Sequence, residues 1–250
     1  MIRVFAAFLL LTTNAFAWGP IGHKIVGQIA EDNLTPKALT AVKNLLQTQT
    51  MAAVATWADT IRSTKEWENT KTWHFVTIED GLTYEEAPKE AAGDVIESID
   101  SAMATLKNSS AAKSDQLNAI KFLIHFVGDA HQPLHVGRGE DRGGNEIQIN
   151  FQGKRCNLHA LWDSILIDSQ KTGVREYATK LQNNAHRQVL DLTFNYDQIV
   201  KENMDLRKQV YDFKDSNLNV DYLNKNIDAV NSRLFLGGKR LATILNEIYK

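Results

Sequence analysis

The chain has 250 residues, of which 43% are hydrophobic and 23% are charged, so it can bury one sizeable core and is expected to form one domain. Its formal net charge of −2 excludes a global basic field as a means of attracting nucleic acid. A nucleic-acid partner would therefore have to be bound through metal ions and local contacts.

Residues 1–17 have the three parts of a secretory signal. Arg3 provides the positive start, residues 4–11 are apolar, and residues 15–17 (Ala-Phe-Ala) fit an A-x-A cleavage site. The apolar run is too short to span a bilayer as a permanent helix. We therefore predict a cleaved signal peptide, a mature chain of residues 18–250, and a secreted or periplasmic protein.

Helices are predicted for most of the mature chain, because apolar residues recur at helical spacing between capping residues. Thr35 and Pro36 fit an N-cap and a first helical position. The last helix is expected to break near Gly237 and Gly238. The predicted helices cover residues 22–33, 36–46, 51–62, 93–106, 115–128, 158–168, 174–190, 197–211 and 217–249.

Two short segments have the composition of strands. Residues 72–78 are aromatic and β-branched, and residues 146–151 alternate before Gly153, as in a hairpin. The predicted fold class is therefore all-α, a single helical domain with one small β-hairpin. Cys156 is the single cysteine of the chain, which excludes an internal disulfide, so stability must come from the core and from any bound metal.

Metal-ligand side chains are concentrated in residues 125–135, His-Phe-Val-Gly-Asp-Ala-His-Gln-Pro-Leu-His. His125 and Asp129 are four residues apart and share one face of a predicted helix. Pro133 is typical of a chain that leaves a helix, which places His135 on a loop that can fold back. Imidazole and carboxylate are ligands that Zn²⁺ favours, although an isolated pair of this kind is more often a hydrogen-bonded pair in a buried helix.

Other candidate ligands occur in similar contexts. His159 and Asp163 form a second pair at i, i+4, Asp59 follows Trp-Ala, His74 lies between two aromatic residues, and His23 lies close to the predicted mature amino terminus. Each has an ordinary structural explanation by itself. Because five of the seven histidines occur in such contexts, coincidence is the weaker explanation, and we predict several metals held in one pocket of a helical scaffold.

Six segments together carry a family resemblance. In chain order they are WGPIGH at 18–23, WADTIR at 57–62, WHF at 73–75, HFVGDAHQPLH at 125–135, DRGGN at 141–145 and NLHALWD at 157–163. These segments closely resemble the S1/P1 nuclease family. Members of that family have a phospholipase C/P1 nuclease-like helical fold, carry three zinc ions, cleave single-stranded DNA and RNA to 5′-nucleotides and often act as 3′-nucleotidases.

The resemblance implies nine ligand residues for three zinc ions (Zn²⁺), and all nine positions hold the expected residue type. Asp129 would bridge a close pair of zincs. The implied ligands are Asp59, His74, His125 and Asp129 for one zinc of the pair; His23, Asp129 and the amino nitrogen and carbonyl oxygen of Trp18 for the other; and His135, His159 and Asp163 for the third. Since a free amino group at Trp18 exists only after cleavage, the precursor should lack a complete site.

The resemblance also implies a mechanism. A hydroxide that bridges the close zinc pair would attack phosphorus in line, and the third zinc would stabilise the leaving 3′-oxygen. Asp59 would orient or deprotonate the attacking water. Arg62, three residues further along the same helix face, would neutralise charge on a phosphoryl oxygen.

Substrate contacts are predicted at two positions. Phe75 is expected to stack on a nucleobase, with packing under the metal site as the alternative. Asn145 is expected to contact substrate, with a turn role as the alternative. Some relatives carry an acidic residue where this chain has Thr77, so no adenine preference is predicted. His131 and His186 match no ligand position and are expected to be surface or structural histidines.

Two alternative functions remain at this point. A zinc-dependent phospholipase C would share the fold and the amino-terminal tryptophan, but it would carry glutamate in place of Asp163, and residues 141–145 favour the nuclease. A non-catalytic zinc-binding exported protein would have no use for Arg62. The expected substrates are therefore single-stranded DNA, RNA and 3′-nucleotides, and we expect a monomer without stable membrane association.

Overall fold

The computed structural model describes residues 18–185 and 191–250, and helices dominate this part of the chain. None of the helices in these residues is long and apolar enough to cross a membrane. The helices are α1 (Pro20–Asp32), α2 (Pro36–Leu46), α3 (Met51–Val54), α4 (Trp57–Ile61), α5 (Val95–Lys107), α6 (Lys113–Asp129), α7 (Leu158–Ala160), α8 (Leu166–Asp168), α9 (Val174–Ala185), α10 (Tyr196–Val210) and α11 (Val220–Ile248).

Two further helical segments have tighter or wider turns than an α-helix. A 3₁₀ segment covers Lys65–His74, and a π-helical turn covers Leu161–Ile165 between α7 and α8. Each segment includes a candidate metal ligand. The 3₁₀ segment ends at His74, and the π-turn contains Asp163. A π-turn inside a helix is often found at a functional site, because it changes the direction in which one side chain points.

The strands are short and form two small sheets. They are β1 (Val76–Thr77), β2 (Val136–Gly137), β3 (Gln148–Phe151), β4 (Lys154–Asn157) and β5 (Asn217–Leu218). β3 and β4 form the predicted antiparallel hairpin, and β5 pairs with β3 in parallel. β1 and β2 pair in parallel, with the Val76 amide donating to the His135 carbonyl at 2.8 Å. This pairing holds the segment that follows His74 beside the segment that follows His135.

The mainly helical class is confirmed, and several boundaries needed correction. The Thr35 hydroxyl accepts from the Ala38 amide, so the predicted N-cap of α2 is confirmed. The single helix predicted for 51–62 is wrong, because the chain forms α3 and α4 with a break between them. The strand predicted for 72–78 is largely wrong, since its first half belongs to the 3₁₀ segment. The predicted signal peptide and residues 186–190 of the predicted helix 174–190 lie outside the described residues.

The break predicted near Gly237 and Gly238 is also wrong, because α11 runs without interruption from Val220 to Ile248. The two glycines allow α1 to approach closely instead. A Cβ added at Gly238 would lie 2.5 Å from the Cβ of Ile29 and 3.0 Å from the Val26 carbonyl oxygen. Glycine at this position therefore serves helix packing rather than helix termination.

An aromatic cluster supports the carboxyl-terminal half of the central helix α6. Phe122 lies edge-on to Trp57, Trp67 and Trp73, with ring centroids 5.1, 5.5 and 5.5 Å away, and it stacks on Phe126 at 5.2 Å. Edge-to-face pairs add about 0.5–1.5 kcal/mol each beyond the burial of their area. The cluster ties α4 and the 3₁₀ segment to α6, and these three elements carry Asp59, His74 and His125.

A buried ionic network fixes the turn that follows α6. Glu202 of α10 accepts from Arg233 and Arg240 of α11, and Arg240 also donates to Nε2 of His131 at 3.1 Å. The Nδ1 of His131 faces the Val127 carbonyl at 2.7 Å. Burial lowers the pKa of His131 well below 6.5, so the neutral ring donates through Nδ1 and accepts through Nε2. His131 is thus a structural histidine, as expected, whereas His186 lies outside the described residues.

Replacing Gly238 with alanine tests the packing of α11 on α1. Alanine has the higher helix propensity by about 1 kcal/mol. We nevertheless expect Gly238→Ala to lower the free energy of unfolding by about 1–3 kcal/mol, because the new methyl group overpacks against Ile29. Denaturant unfolding of the metal-loaded protein measures this. Gly173→Ala is the control, since a Cβ at Gly173 meets no atom within 4 Å. Equal stability of the two variants would contradict the packing argument.

Candidate metal centre

Eight histidine and aspartate side chains from separate segments meet at the carboxyl end of α6. All eight are buried, with at most 8% of any one exposed. They include both members of each i, i+4 pair predicted from the sequence, and the loop after α6 does fold back to bring in His135. The eight residues are His23, Asp59, His74, His125, Asp129, His135, His159 and Asp163.

Four of these side chains form one compact set around Asp129. The Oδ2 of Asp129 lies 3.1 Å from Nδ1 of His74 and 3.3 Å from Nε2 of His125, and these two nitrogens are 3.1 Å apart. The Asp59 carboxylate lies 3.8 Å from each nitrogen. Ligand atoms about 2.0–2.2 Å from a tetrahedral zinc lie roughly 3.3–3.6 Å from one another. The separations among the four side chains, 3.1–3.8 Å, are close to those around one zinc ion.

A second set lies on the other side of the site. The Nε2 of His159 is 3.1 Å from Oδ2 of Asp163, and Nε2 of His135 is 3.8 Å from Oδ1 of the same carboxylate. The π-turn directs Asp163 toward both histidines. Gln132, which lies between Asp129 and His135 in the sequence, donates from its amide to Asp163 and holds the carboxylate in place. These three ligands form the group predicted for a third zinc.

His23 lies on the opposite side of Asp129 from His74. Its Nε2 is 3.3 Å from Oδ1 of Asp129, and its ring stacks on His125 with centroids 3.8 Å apart. Asp129 thus presents one oxygen to His23 and the other to His74 and His125, as a bridging ligand would. A Cβ at Gly128 would lie 2.9 Å from the His23 ring, so glycine provides the space for this histidine.

Trp18 is completely buried beside His23. The amide of the next residue, Gly19, donates to the Asp163 carbonyl at 2.6 Å, which ties the start of the described chain to the π-turn. A Cβ at Gly22 would lie 2.9 Å from the Cβ of Trp18, so a second glycine makes room for this residue. Trp18 is therefore held close to α1 and the π-turn, and its role as a ligand stays a prediction.

Backbone carbonyls orient three of the ligand histidines. In each case Nδ1 faces a carbonyl oxygen at 2.6–2.7 Å, which leaves the Nε2 lone pair directed into the site. Such hydrogen bonds fix the tautomer and the orientation of metal-binding histidines. The pairs are His125 with Ala55, His135 with His74, and His159 with Gly143.

The electrostatics of the set favour a cation. Burial lowers the pKa of His23, His74 and His135 well below 6.5, so these imidazoles are neutral, which is the form that binds metal. Burial also raises the pKa of Asp129 and Asp163, because a carboxylate is poorly stabilised away from water. Although burial opposes it, the carboxylates of Asp129 and Asp59 raise the pKa of His125 to about 9, and that of Asp163 raises the pKa of His159, so these two sites attract positive charge.

Several ligand atoms have no hydrogen-bond partner among the described residues. They are buried nitrogen and oxygen atoms, which ordinarily find a partner. They comprise Nε2 of His23, Nε2 of His135, Oδ1 of Asp59, Oδ1 of Asp129 and Oδ2 of Asp163. Neutral imidazoles and buried carboxylates with free acceptor atoms are the donor set that zinc prefers, so the residues fit this metal.

The metal centre lies at the floor of a pocket of about 560 Å³, which we term the site pocket. Asp59 and Arg62 line one wall, with Nη1 of Arg62 3.5 Å from Oδ1 of Asp59. Phe75 is half-buried in the wall, so part of its ring is available for stacking. Asn145 also lines the pocket, but its amide donates to the Arg142 carbonyl at 2.9 Å, which is the turn role given as the alternative.

Three residues of the site were not singled out from the sequence. Gln132 lies inside the 125–135 motif, and its position between two ligands was the available signal. Arg142 lines the site pocket and lies inside the segment 141–145, so that segment was the available signal. Lys71 also lines the pocket, yet nothing in its local sequence distinguishes it from a solvent-exposed basic residue. Their place in the pocket depends on how the 3₁₀ segment and the glycine-rich loop fold.

Comparison with known proteins identifies the family. The sequence pattern of a family described as S1/P1 Nuclease matches residues 18–250. The chain belongs to the S1/P1 nuclease family. Its members are zinc-dependent hydrolases that cleave phosphodiester bonds, which confirms the resemblance and the class of enzyme predicted from the sequence.

Individual relatives agree with this assignment. Endonuclease 3 of Arabidopsis thaliana is 30% identical over 269 residues, which cover 96% of this chain and 91% of that protein. Nuclease S1 of Aspergillus oryzae is 35% identical over 173 residues, or 66% of this chain and 59% of that protein. Nuclease P1 of Penicillium citrinum is 31% identical over 158 residues, or 60% of this chain and 58% of that protein.

Replacing Asp129 with asparagine tests the bridging position of this carboxylate. Asp129→Asn removes one negative charge that faces both His23 and His74, so we expect weaker zinc retention and a nuclease rate lowered by about a hundredfold or more. Elemental analysis after dialysis against a chelator measures the first effect. Asp228→Asn, an exposed change on α11, is the control. Normal zinc content together with an undiminished rate would show that Asp129 is not a bridge.

Proposed function

We propose that the protein is an exported endonuclease with three zinc ions per chain, which hydrolyses single-stranded DNA and RNA to 5′-phosphate products and also acts as a 3′-nucleotidase. The observation that carries the proposal is the position of the buried His/Asp sets at the floor of the site pocket, with the Arg62 guanidinium beside them. The carboxylates on the floor of the pocket would repel a phosphate group in the absence of cations. With cations bound to them, the floor would attract the phosphate.

The family resemblance supplies the residues that would hold the zinc ions, and their proximity in the structure supports this assignment. Asp129 belongs to two sets because its two oxygens face different histidines. Bound zinc supplies Lewis acidity toward a phosphoryl oxygen and a water that ionises near neutral pH. The proposed sets are Asp59, His74, His125 and Asp129; Trp18, His23 and Asp129; and His135, His159 and Asp163.

Two of the protein's own groups would act directly on water and phosphate, and three further ligands would lie near the departing oxygen. Asp59, at the pocket wall, orients the attacking water and accepts its proton. Arg62, tied to Asp59 at 3.5 Å, donates to a phosphoryl oxygen and neutralises the charge that develops there. His135, His159 and Asp163 lie on the side of the departing 3′-oxygen.

The depth of the site accounts for the proposed preference for single strands. A phosphate must reach ligands that are at most 8% exposed, and a base must leave its stack to reach Phe75 in the pocket wall. Unstacking costs little in a single strand and a few kcal/mol in a duplex. Stacking on an aromatic ring is worth about 1–3 kcal/mol per base and tolerates any sequence.

We also propose that Trp18 is the mature amino terminus and contributes its amino nitrogen and carbonyl oxygen to the zinc shared by His23 and Asp129. The complete burial of Trp18 and the hydrogen bond from Gly19 to Asp163 support this role. In this proposal, removal of the signal peptide during export completes the site, and the active enzyme is secreted or periplasmic.

A parallel assay of five substrates tests the proposed function. The zinc-loaded mature chain is incubated with single-stranded DNA, RNA, duplex DNA, 3′-AMP and phosphatidylcholine vesicles. We expect cleavage of the two single strands to products with 5′-phosphates, release of phosphate from 3′-AMP, and slower cleavage of the duplex. Hydrolysis of phosphatidylcholine with intact nucleic acids would favour a phospholipase C, and no hydrolysis of any substrate would favour a non-catalytic zinc protein.

Replacing Arg62 with alanine separates catalysis from metal binding. One preorganised donor to a developing charge is worth about 3 kcal/mol, so we expect Arg62→Ala to lower kcat roughly a hundredfold. The zinc content should remain at three per chain, because the guanidinium is not a ligand. Arg175→Ala on the exposed face of α9 is the matched control. A normal rate for Arg62→Ala would reduce this residue to a structural role.

A further inference from the structure

Arg142 has an unusual backbone conformation at the rim of the site pocket. Its φ is +54°, in the left-handed region that non-glycine residues seldom adopt, and Gly143 and Gly144 follow with φ of +62° and +79°. Gln47, Gln152 and Lys171 share this property in the described residues, but none of them lines the pocket, whereas Arg142 does. Glycine would adopt this conformation at no steric penalty, so the arginine side chain calls for an explanation.

Several hydrogen bonds within the loop hold Arg142 in this conformation. The Asn145 side chain donates to the Arg142 carbonyl at 2.9 Å, and the Arg142 amide donates to the Gly139 carbonyl at 3.3 Å. The Asp141 carboxylate accepts from the Gly144 amide at 2.8 Å. The backbone is therefore fixed on both sides of the arginine, and the guanidinium projects from a defined point.

The side chain itself is exposed, and no ion pair or hydrogen bond engages its guanidinium among residues 18–185 and 191–250. Two other basic residues line the same pocket. Arg62 is paired with Asp59, and Lys71 lies on the 3₁₀ segment three residues before His74. Arg142 is thus an available bidentate donor at the pocket rim.

The position of Arg142 relates it to one set of metal ligands. The carbonyl of the next residue, Gly143, accepts from Nδ1 of His159 at 2.7 Å. Arg142 is therefore attached to the set His135, His159 and Asp163, whereas Arg62 contacts Asp59 of the other set. The two arginines cannot be equivalent, because they approach the floor of the pocket from different elements.

We propose that Arg142 forms a subsite for a second phosphate, the 5′-phosphate of the nucleotide whose 3′-oxygen departs. This inference rests on the proposed function, which places the departing oxygen at His135, His159 and Asp163. A guanidinium binds a phosphate through two parallel N–H···O bonds, which are stronger than bonds between neutral groups. The subsite makes the enzyme prefer a phosphorylated strand over a lone nucleoside 3′-phosphate, because only the strand offers the second anion.

The test compares two dinucleotides that differ only in the second phosphate. The substrates are d(ApA) and d(pApA), which share the same scissile bond, and 3′-AMP monitors the proposed function independently. The variant is Arg142→Asn, because asparagine tolerates a left-handed φ better than other polar residues. Arg155→Gln on β4 removes an exposed positive charge outside the pocket and is the control.

We expect the wild-type enzyme to favour d(pApA) over d(ApA) by about tenfold in kcat/KM, mainly through KM, since one charge-assisted pair is worth at least one factor of ten. Arg142→Asn should abolish that preference and leave the rates with d(ApA) and 3′-AMP unchanged. Arg155→Gln should keep it. A preference that survives in Arg142→Asn, or an equal loss on all three substrates, would overturn the proposal.

A binding measurement keeps the two hypotheses apart. Dinucleosides joined by an uncleavable methylphosphonate, with and without the 5′-phosphate, are titrated calorimetrically into the zinc-loaded protein. Tighter binding of the phosphorylated ligand to wild type but not to Arg142→Asn supports the subsite, even if no substrate is hydrolysed and the proposed function fails. Equal affinities for the two ligands in the wild-type protein would overturn the subsite, whatever the hydrolysis rates.

Discussion

The burial of Asp129 and Asp163 among imidazoles is the constraint on which the rest of the structure depends. A carboxylate removed from water is destabilising unless positive charge compensates it, and burial keeps the neighbouring imidazoles of His23, His74 and His135 neutral. Cations bound between the ligands would supply that charge, and the free energy of metal binding would then become part of the free energy of folding. A chain with a single cysteine has few other means of closing such a polar core.

The scaffold around the ligands holds them at fixed separations. Backbone carbonyls fix the rings of His125, His135 and His159, while the aromatic cluster around Phe122 fixes the carboxyl-terminal half of α6. The turn between Asp129 and His135 contains His131, and Arg233 and Arg240 of α11 hold this residue in place. Although burial opposes it, the guanidiniums of Arg233 and Arg240 lower the pKa of Glu202 to about 2, so this anchor stays ionised at neutral pH. Ligand geometry therefore depends on α10 and α11, which supply no ligand.

The ligands were more predictable from the sequence than the backbone that carries them. Spacing placed His125 with Asp129 and His159 with Asp163, because i, i+4 neighbours meet on any helix. Spacing did not reveal the π-turn that contains Asp163, since residue spacing does not distinguish a π-turn from an α-helical turn. The composition of residues 72–78, aromatic and β-branched, predicts a strand, but residues 72–74 end the 3₁₀ segment because tertiary packing overrides that preference. Gly238 was read as a helix breaker because the approach of Ile29 is invisible in a single sequence.

The ligands differ in their access to solvent. Asp59, His74, His135 and His159 line the site pocket, whereas His23 and Asp129 lie behind them with no exposed surface. A cation held between His23 and Asp129 can exchange only when a surrounding segment opens, so its dissociation is controlled by the rate of local unfolding rather than by affinity alone. Ions nearer the pocket can exchange without that step. A chelator would then strip the centre in a fixed order, and the innermost ion would be the last to leave and the first that a refolding chain must acquire.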